Sequence, residues 1–79
     1  RDTLYARAVR WARGAVAAEP SGADGHAMLA VALGRSALAL GVRERVRLAT
    51  EVREAALAAL RIDSDHAAAL HVLGAWHAE

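Results

Sequence analysis

Cysteine, lysine and phenylalanine are among the residue types that are missing from this chain of 79 residues, and proline occurs once, at Pro20. Without cysteine the sequence holds no disulfide, no thiolate zinc site and no cysteine nucleophile. The chain also has almost no net charge, since its ten arginines and nine acidic residues give a net charge of +1. Nucleic-acid-binding domains concentrate a clear basic excess on one face, so we expect no nucleic-acid partner.

No stretch of the sequence predicts a membrane span. The most apolar stretch, residues 27–40, is interrupted by Arg35 and is shorter than the roughly 20 residues that a transmembrane helix needs. We therefore expect no membrane partner, and a cytoplasmic location is the default prediction.

Alanine is abundant and supplies 22 of the 79 residues, while all ten basic residues are arginine. Both types are strong helix formers, and the β-branched residues that favour strands are few. The composition therefore predicts an all-α fold. The same bias indicates a GC-rich coding genome, from which we expect a bacterial source.

Hydrophobic periodicity predicts four helices joined by short turns, at about residues 2–18, 23–40, 42–62 and 66 to the end. The first helix should end before Pro20, because the residue that precedes a proline disfavours the helical conformation. Gly41 is expected to cap the second helix in a left-handed conformation. The acidic turn at residues 63–65 is expected to supply the N-cap oxygens of the fourth helix.

The four predicted helices differ in their expected surroundings. The second is apolar almost all round, which predicts burial between two neighbours. Arg7, Arg10 and Arg13 form a stripe that we interpret as the solvated back of the first helix, the alternative being a docking face for an acidic peptide. On the third helix Arg47 and Glu51 lie one turn apart, as in an ion pair. Trp11 and Trp76 are predicted to be core or inter-repeat anchors. The side chains predicted to face the core are Leu4, Tyr5, Ala8, Trp11, Ala12, Ala15 and Val16 in the first helix and Val46, Ala49, Val52, Ala56, Ala59 and Leu60 in the third.

One helix–turn–helix junction occurs twice in the chain, 44 residues apart. Glu19 precedes the turn of the first copy, and Asp63 takes the same place in the second. Further matches at this offset are Leu4 with Leu48, Ala12 with Ala56, Ala15 with Ala59, Ala23 with Ala67 and Leu29 with Leu73. Repeated helical hairpins predict a stacked array, in which each hairpin depends on its neighbours. We interpret residues 1–79 as a single helical-repeat domain and a fragment of a longer array.

The two junctions resemble those of tetratricopeptide repeats. Leu29-Ala30 and Leu73-Gly74 match the Leu-Gly or Leu-Ala pair of that motif, and the acidic turns match its acidic-Pro-acidic turn. Its small positions are matched by Ala8, Ala12, Ala15, Ala56 and Ala59. The chain departs from the motif at Ser64, where proline is usual, and in its repeat of 44 rather than 34 residues. The resemblance implies antiparallel helical hairpins that stack as tetratricopeptide-like repeats.

The longer repeat is similar to that of the regulator of microtubule dynamics family. His71, Leu73, Gly74 and Trp76 match the His-x-Leu/Met-Gly-x-Trp segment of that family. The similarity covers nearly the whole chain and implies long helices in the first repeat. It does not by itself imply that this chain binds microtubules.

No catalytic, cofactor or metal site is predicted. The histidines are His26, His66, His71 and His77. They include no pair at the i,i+4 spacing of helical zinc sites, and no carboxylate lies one turn from two of them. The serines lack the glycine elbow of a nucleophile, and no glycine-rich phosphate loop is present. We therefore expect no enzyme activity and no cofactor.

The tetratricopeptide resemblance also implies a binding surface. In such arrays the first helix of each hairpin lines a concave groove, in which a peptide or a helix of another protein lies. Carried over by the motif, the groove residues are Asp24, Ala27 and Val31 on the second helix and Ala68, His71 and Ala75 on the fourth. Such a groove is mostly apolar and lacks the polar residues that clamp a C-terminal carboxylate.

Three functions follow from these patterns, in descending order of preference. The first is a non-enzymatic scaffold that binds another protein or peptide in the groove. The alternative is a self-associating segment of a larger helical assembly, with the groove filled by the chain itself or by a second copy. The third is a nucleic-acid-binding helical domain that uses the arginine stripe.

Overall fold

The computed structural model describes the backbone of residues 3–77 and the side chains of residues 3–75. These residues form four α-helices, α1 (Leu4–Ala18), α2 (Ala23–Leu40), α3 (Val42–Ile62) and α4 (Ala67–His77). The predicted all-α fold is confirmed, and α2 and α3 begin and end at the predicted residues. The predictions for Asp2, for the side chains of Trp76 and His77 and for the chain after His77 lie outside the described residues.

Flanking side chains and Pro20 explain the ends of α1. Thr3 is the N-cap, since its hydroxyl accepts a hydrogen bond from the N–H of Ala6 at 3.0 Å. At the other end the backbone leaves the helix at Glu19, directly before Pro20, as predicted. The N–H of Glu19 still donates to the carbonyl of Ala15 at 3.0 Å, so the last turn closes before the chain reverses.

A single residue, Gly41, separates α2 from α3. Its φ of 105° is positive, as predicted, but its ψ of −175° lies outside the left-handed helical region. This conformation is accessible almost only to glycine. The N–H of Gly41 donates to the carbonyl of Ala37 at 3.3 Å, and its own carbonyl accepts from the N–H of Arg45 at 2.9 Å. One residue therefore closes α2 and opens α3.

The cap of α4 is His66, so the prediction that the acidic turn caps this helix is wrong. The N–H of Ala69 donates to Nδ1 of His66 at 3.4 Å, and the N–H of Leu70 donates to the carbonyl of His66 at 3.0 Å. The carboxylate of Asp63 is used inside the turn, where it accepts from the N–H of Asp65 at 3.1 Å. The carboxylate of Asp63 therefore stabilises the turn itself, and His66 caps the helix.

The core lies around α2, which contacts all three other helices. Eight of its residues are buried, as its all-round apolarity predicts. Alanine dominates the interior, where Val52 of α3 is the largest fully buried side chain among the described residues. Small side chains let helix axes approach closely, and the chain forms a slab of 30 × 29 × 16 Å, two helix layers thick. The central cluster consists of Ala12, Ala27, Leu29, Ala30, Leu33, Val52, Ala55, Ala56, Ala59, Ala69 and Val72.

The predicted core face of α1 is only partly correct. Ala12 is buried and Val16 packs against the core, together with Val9, which the prediction omitted. The exposed members of the predicted face are Leu4, Tyr5, Ala8 and Trp11. α1 carries apolar side chains over two adjoining stripes, and among the described helices it packs only against α2, so one stripe stays uncovered. Trp11 is 71% exposed, so it is not a core anchor, and its role as an anchor between repeats stays a prediction.

The predicted core face of α3 contains one error. Val52, Ala56 and Ala59 are buried, as predicted, but Val46 is 71% exposed. The buried stripe instead continues toward the start of the helix through Leu48, which packs against the central cluster. At 3.6 residues per turn, Val46 falls well to the side of that stripe.

The surface ion pairs also differ from the prediction. Arg47 pairs with Glu44, since its Nη2 lies 2.6 Å from Oε1 and its Nε–H donates to the same oxygen at 2.7 Å. This hydrogen bond and the carboxylate charge raise the pKa of the Arg47 guanidinium above its usual value. Glu51 pairs with Arg13, where Nη2 lies 2.7 Å from Oε2. Glu51 therefore ties α3 to α1 and not to its own helix.

Candidate partner-binding groove

A concave groove of about 540 Å³ lies between α2 and α4. Each of the two helices forms one wall, and the helices contact each other directly. α2 and α4 follow the two repeated junctions, so this groove lies between the two helices on which the tetratricopeptide resemblance places the groove residues. Its lining residues are Ala30, Val31, Gly34, Arg35, Leu38, Ala67, Ala68, His71, Val72 and Ala75.

Four of the six predicted groove residues line this concavity. They are Val31 on α2 and Ala68, His71 and Ala75 on α4. The three on α4 are exposed and Val31 is half-buried, so a ligand in the groove would reach all of them. The structure thus brings together residues that are far apart in the sequence, and their role in binding stays a prediction.

The other two predicted groove residues do not line it. Ala27 is 2% exposed and belongs to the central cluster with Ala69 and Val72, so it has no surface to offer a ligand. The helices are already packed together at its level. Asp24 is exposed at the first turn of α2, beyond the end of the groove. Ala27 is therefore a core residue, whereas Asp24 bonds to α4 and its part in binding a ligand stays a prediction.

Asp24 joins the N-terminal ends of the two groove helices. Its Oδ1 accepts a hydrogen bond from Nε2 of His66 at 2.7 Å, although its side chain is 94% exposed. Because Nδ1 of the same ring accepts from the N–H of Ala69, the hydrogen-bond geometry assigns the ring proton to Nε2. The imidazole therefore caps α4 and holds it to α2, which fixes the spacing of the walls at that end.

The groove surface is apolar apart from two side chains. Alanine, glycine, valine and leucine form most of it, and Leu38 rises 60% exposed at one margin. Among the described lining residues Arg35 is the only charged one, and it makes no hydrogen bond or ion pair with another described residue. His71 is the second polar residue. The groove thus offers apolar contact area together with one guanidinium that no described residue pairs with.

Sequence reasoning missed part of the α2 wall, although the pattern that predicts it is present. The spacing that selected Ala27 and Val31 continues along the same helix to Gly34 and Leu38, at three or four residues a step. Extending this stripe to the end of α2 adds Gly34 and Leu38, which line the groove. Arg35 could have been found in another way, because it is the only charged residue in the apolar stretch of residues 27–40.

The remaining sequence predictions concern a metal cluster, other polar residues and a membrane span. Within residues 3–75 no three possible metal ligands come together. His26 has a structural role, since its Nε2 donates to the carbonyl of Pro20 at 2.8 Å and holds the turn before α2. In the arginine stripe of α1, Arg13 is engaged by Glu51. Among the described helices none combines the length and the hydropathy that crossing a bilayer requires.

The match of one family model agrees with the residues that suggested the resemblance. That model, Regulator of microtubule dynamics protein 1-3, matches residues 1–79, which is the whole of the chain. No curated protein and no solved structure matches the chain. The chain therefore belongs to the family of the regulators of microtubule dynamics 1-3.

Proposed function

We propose that this chain is a non-enzymatic interaction module and that its α2–α4 groove binds an apolar peptide segment of another protein. The observation that carries the proposal is the groove itself, about 540 Å³ in volume and lined mostly by apolar side chains of α2 and α4. Its size falls within the range of about 300–1,000 Å³ that is common for ligand sites. The fixed walls mean that little of the groove has to be ordered on binding.

Because of Arg35, we expect the groove to prefer a peptide that carries a negative charge. The Arg35 guanidinium lies on the groove margin and has no partner among the described residues. A carboxylate on the bound segment would pair with it, and a bidentate pair would also fix the register of the segment. The pair stays exposed, so we assign it about 0.2–1 kcal/mol and assign the larger share of the affinity to apolar burial.

The family description names regulation of microtubule dynamics for proteins 1-3. From the family we transfer only the role of a helical scaffold to this chain. The apolar lining of the groove suits an apolar peptide segment but does not identify the protein that carries it. The nucleic-acid alternative is weakened by the Arg13–Glu51 pair, since one arginine of the stripe is already neutralised at 2.7 Å. That alternative predicts steeply salt-dependent retardation of DNA or RNA.

The experiment is a selection from a display library of random linear peptides against the 79-residue chain. The affinity of each selected peptide is then measured for the unaltered chain and for the Ala75→Glu variant, which takes no part in the selection. Ala75 is exposed on the α4 wall, so this substitution places a carboxylate in the groove without disturbing the core. The proposal predicts apolar consensus peptides that contain an acidic residue.

A matched control separates groove binding from general adhesion to apolar surface. Ala17→Glu adds the same charge at an exposed position of α1, away from the groove. Selected peptides should bind the Ala17→Glu variant as they bind the unaltered chain, and should lose at least tenfold in affinity for Ala75→Glu. Peptides that bind all three proteins equally would overturn the groove assignment.

A further inference from the structure

The end of the α2–α3 hairpin exposes four large apolar side chains around one turn. Leu40 and Val42 stand on either side of the connecting glycine and are 62% and 71% exposed. Leu38 and Val46 lie farther along the two helices and are exposed as well. We call residues 35–47 the α2–α3 tip. Leucine and valine are among the residues most often buried, so their concentration around one turn indicates an interaction surface.

The position of the tip separates it from the surfaces on which helical repeats stack. Repeats in an array pack side by side, along the flanks of their helices. The α2–α3 tip is the end of a hairpin, and both helices and their connecting residue lie inside the chain. Leu40 and Val42 therefore stay exposed at the end of the hairpin, whatever repeat lies beside α1 or α4.

The same tip is rich in positive charge. Its arginines are Arg35, Arg43, Arg45 and Arg47. The acidic residue of the tip is Glu44, and Arg47 pairs with it at 2.6 Å. The other three arginines make no hydrogen bond or ion pair with another described residue, and the buried Nε of Arg45 has no hydrogen-bond partner there. The tip therefore carries positive charge that the described part of the chain does not neutralise.

The opposite end of the slab is acidic. The α1–α2 and α3–α4 turns lie there, with the exposed carboxylates of Glu19, Asp24, Asp63 and Asp65. α2 has 18 residues, so at 1.5 Å per residue the two ends are about 27 Å apart. Outside the tip the chain has six arginines and eight acidic residues. This separation of charge would turn the tip toward an anionic surface and the acidic end away from it.

We propose that the α2–α3 tip docks on the surface of an anionic lipid bilayer. Leu40 and Val42 enter the boundary between headgroups and acyl chains, while Arg43 and its neighbours pair with lipid phosphates. A fluid surface suits a projecting end because it needs no complementary pocket, whereas a standard protein interface takes about 20–30 residues from each side. Such docking requires no transmembrane helix, so it revises the expectation that the chain has no membrane partner.

The test is co-sedimentation of the 79-residue chain with vesicles of phosphatidylcholine alone and of equal parts of phosphatidylcholine and phosphatidylglycerol. The chain should bind the mixed vesicles, and salt should weaken the binding. Val42→Glu should lose at least about tenfold in affinity, because it replaces an inserted side chain by a carboxylate. Arg43→Gln should lose about fivefold, since each basic residue near an anionic surface contributes roughly that factor. Ala17→Glu adds the same charge as Val42→Glu at an exposed position in the last turn of α1 and should bind as the unaltered chain does.

Insertion of the tip is measured separately. Because the chain has no cysteine, Val42→Cys and Ala17→Cys each accept a single environment-sensitive fluorophore. With mixed vesicles the emission from position 42 should shift to the blue and that from position 17 should not. Circular dichroism checks the fold of each variant, and Leu40→Glu replaces Val42→Glu if helicity is lost.

Three results would overturn the proposal. The first is no binding to the mixed vesicles, which leaves an acidic protein surface as the ligand class for the tip. The second is equal binding to both kinds of vesicle, because the arginines would then play no part. The third is a blue shift at position 17 with none at position 42, which indicates that another face of the chain meets the lipid.

Discussion

The imidazole of His66 and the carboxylate of Asp24 are joined by a hydrogen bond of 2.7 Å, although the two residues are 42 positions apart in the chain. His66 caps α4 and Asp24 lies in the first turn of α2, so the bond connects the starts of the two helices that wall the groove. Its Nδ1 stays available to the N–H of Ala69 only while the ring proton is on Nε2. One side chain therefore links a local cap to a tertiary contact.

The two roles of His66 can be separated by substitution. His66→Asn should keep the N-cap, because asparagine is among the best capping residues, and should lose the bond to Asp24. We expect it to lower the free energy of unfolding by about 0.5–1 kcal/mol, the net value of one solvent-exposed hydrogen bond. Asp24→Ala should cost the same in the unaltered chain and nothing further in the His66→Asn background. Urea denaturation of the four proteins measures this coupling, and additive losses would contradict the bridge.

Gly41 is predicted to resist substitution because of its backbone. Its φ of 105° and ψ of −175° are strained for any residue with a Cβ, so Gly41→Ala should destabilise the fold by about 1–3 kcal/mol. Gly14→Ala is the control, because a Cβ there meets nothing within 4 Å and the residue lies inside α1. The control should stabilise the chain by about 0.5–1 kcal/mol through helix propensity. Thermal unfolding should therefore move in opposite directions for the two variants.

Because α2 is closely packed, we expect a larger side chain at a buried position of this helix to lower the stability of the fold. Ala30 is 0% exposed in the central cluster, so Ala30→Leu has to displace its neighbours and should cost about 1–3 kcal/mol. Ala39→Leu places the same side chain on the same helix at an exposed position and should change stability by less than about 0.5 kcal/mol. Equal effects on the urea midpoint would show that the helices are not packed as closely as described.

The ion pair between α1 and α3 allows the corrected partner of Glu51 to be tested. A double-mutant cycle of Arg13→Gln with Glu51→Gln should give a coupling of about 0.2–1 kcal/mol, small because both side chains are about half exposed. The cycle of Arg47→Gln with Glu51→Gln should give a smaller coupling, since Arg47 is bonded to Glu44. The larger coupling should fall in high salt. The reverse order of couplings would restore the pairing that sequence spacing suggested.

Much of the fold could be predicted from the sequence because its signals are local. Pro20 and Gly41 mark the ends of α1 and α2 through their own backbone restrictions, and the structure places both ends there. The apolar surface of α2 predicted burial against several neighbours, which the structure confirms. These signals need no knowledge of the tertiary arrangement.

The errors arise where a neighbour decides the outcome. The face with Leu4 and Trp11 has the pattern of a buried stripe, and periodicity alone does not state whether a helix covers it. Glu51 has a basic residue one turn away on its own helix, yet the shorter contact comes from Arg13 on another helix. In both cases the missing information is the position of a second helix.

The candidate site could be predicted in part for the same reason. Helical spacing and the repeat selected Val31, Ala68, His71 and Ala75, which meet in one groove. Ala27 has the right spacing as well, but it lies at a level where α2 and α4 are in contact, and its side chain is buried. Depth along a groove depends on the angle between two helices, which the sequence of either helix does not specify.

The most direct test of the proposed function is an amide chemical-shift titration of the isotope-labelled chain with one library-selected apolar peptide. The proposal predicts that the shifts concentrate at Val31, Leu38, Ala68 and Ala75, around the α2–α4 groove, and that Ala75→Glu abolishes them. The chain has a second apolar concavity, which includes Trp11, Ala15 and Met28, on the other side of α2. Shifts centred there, with the groove amides unmoved, would contradict the groove as the binding site.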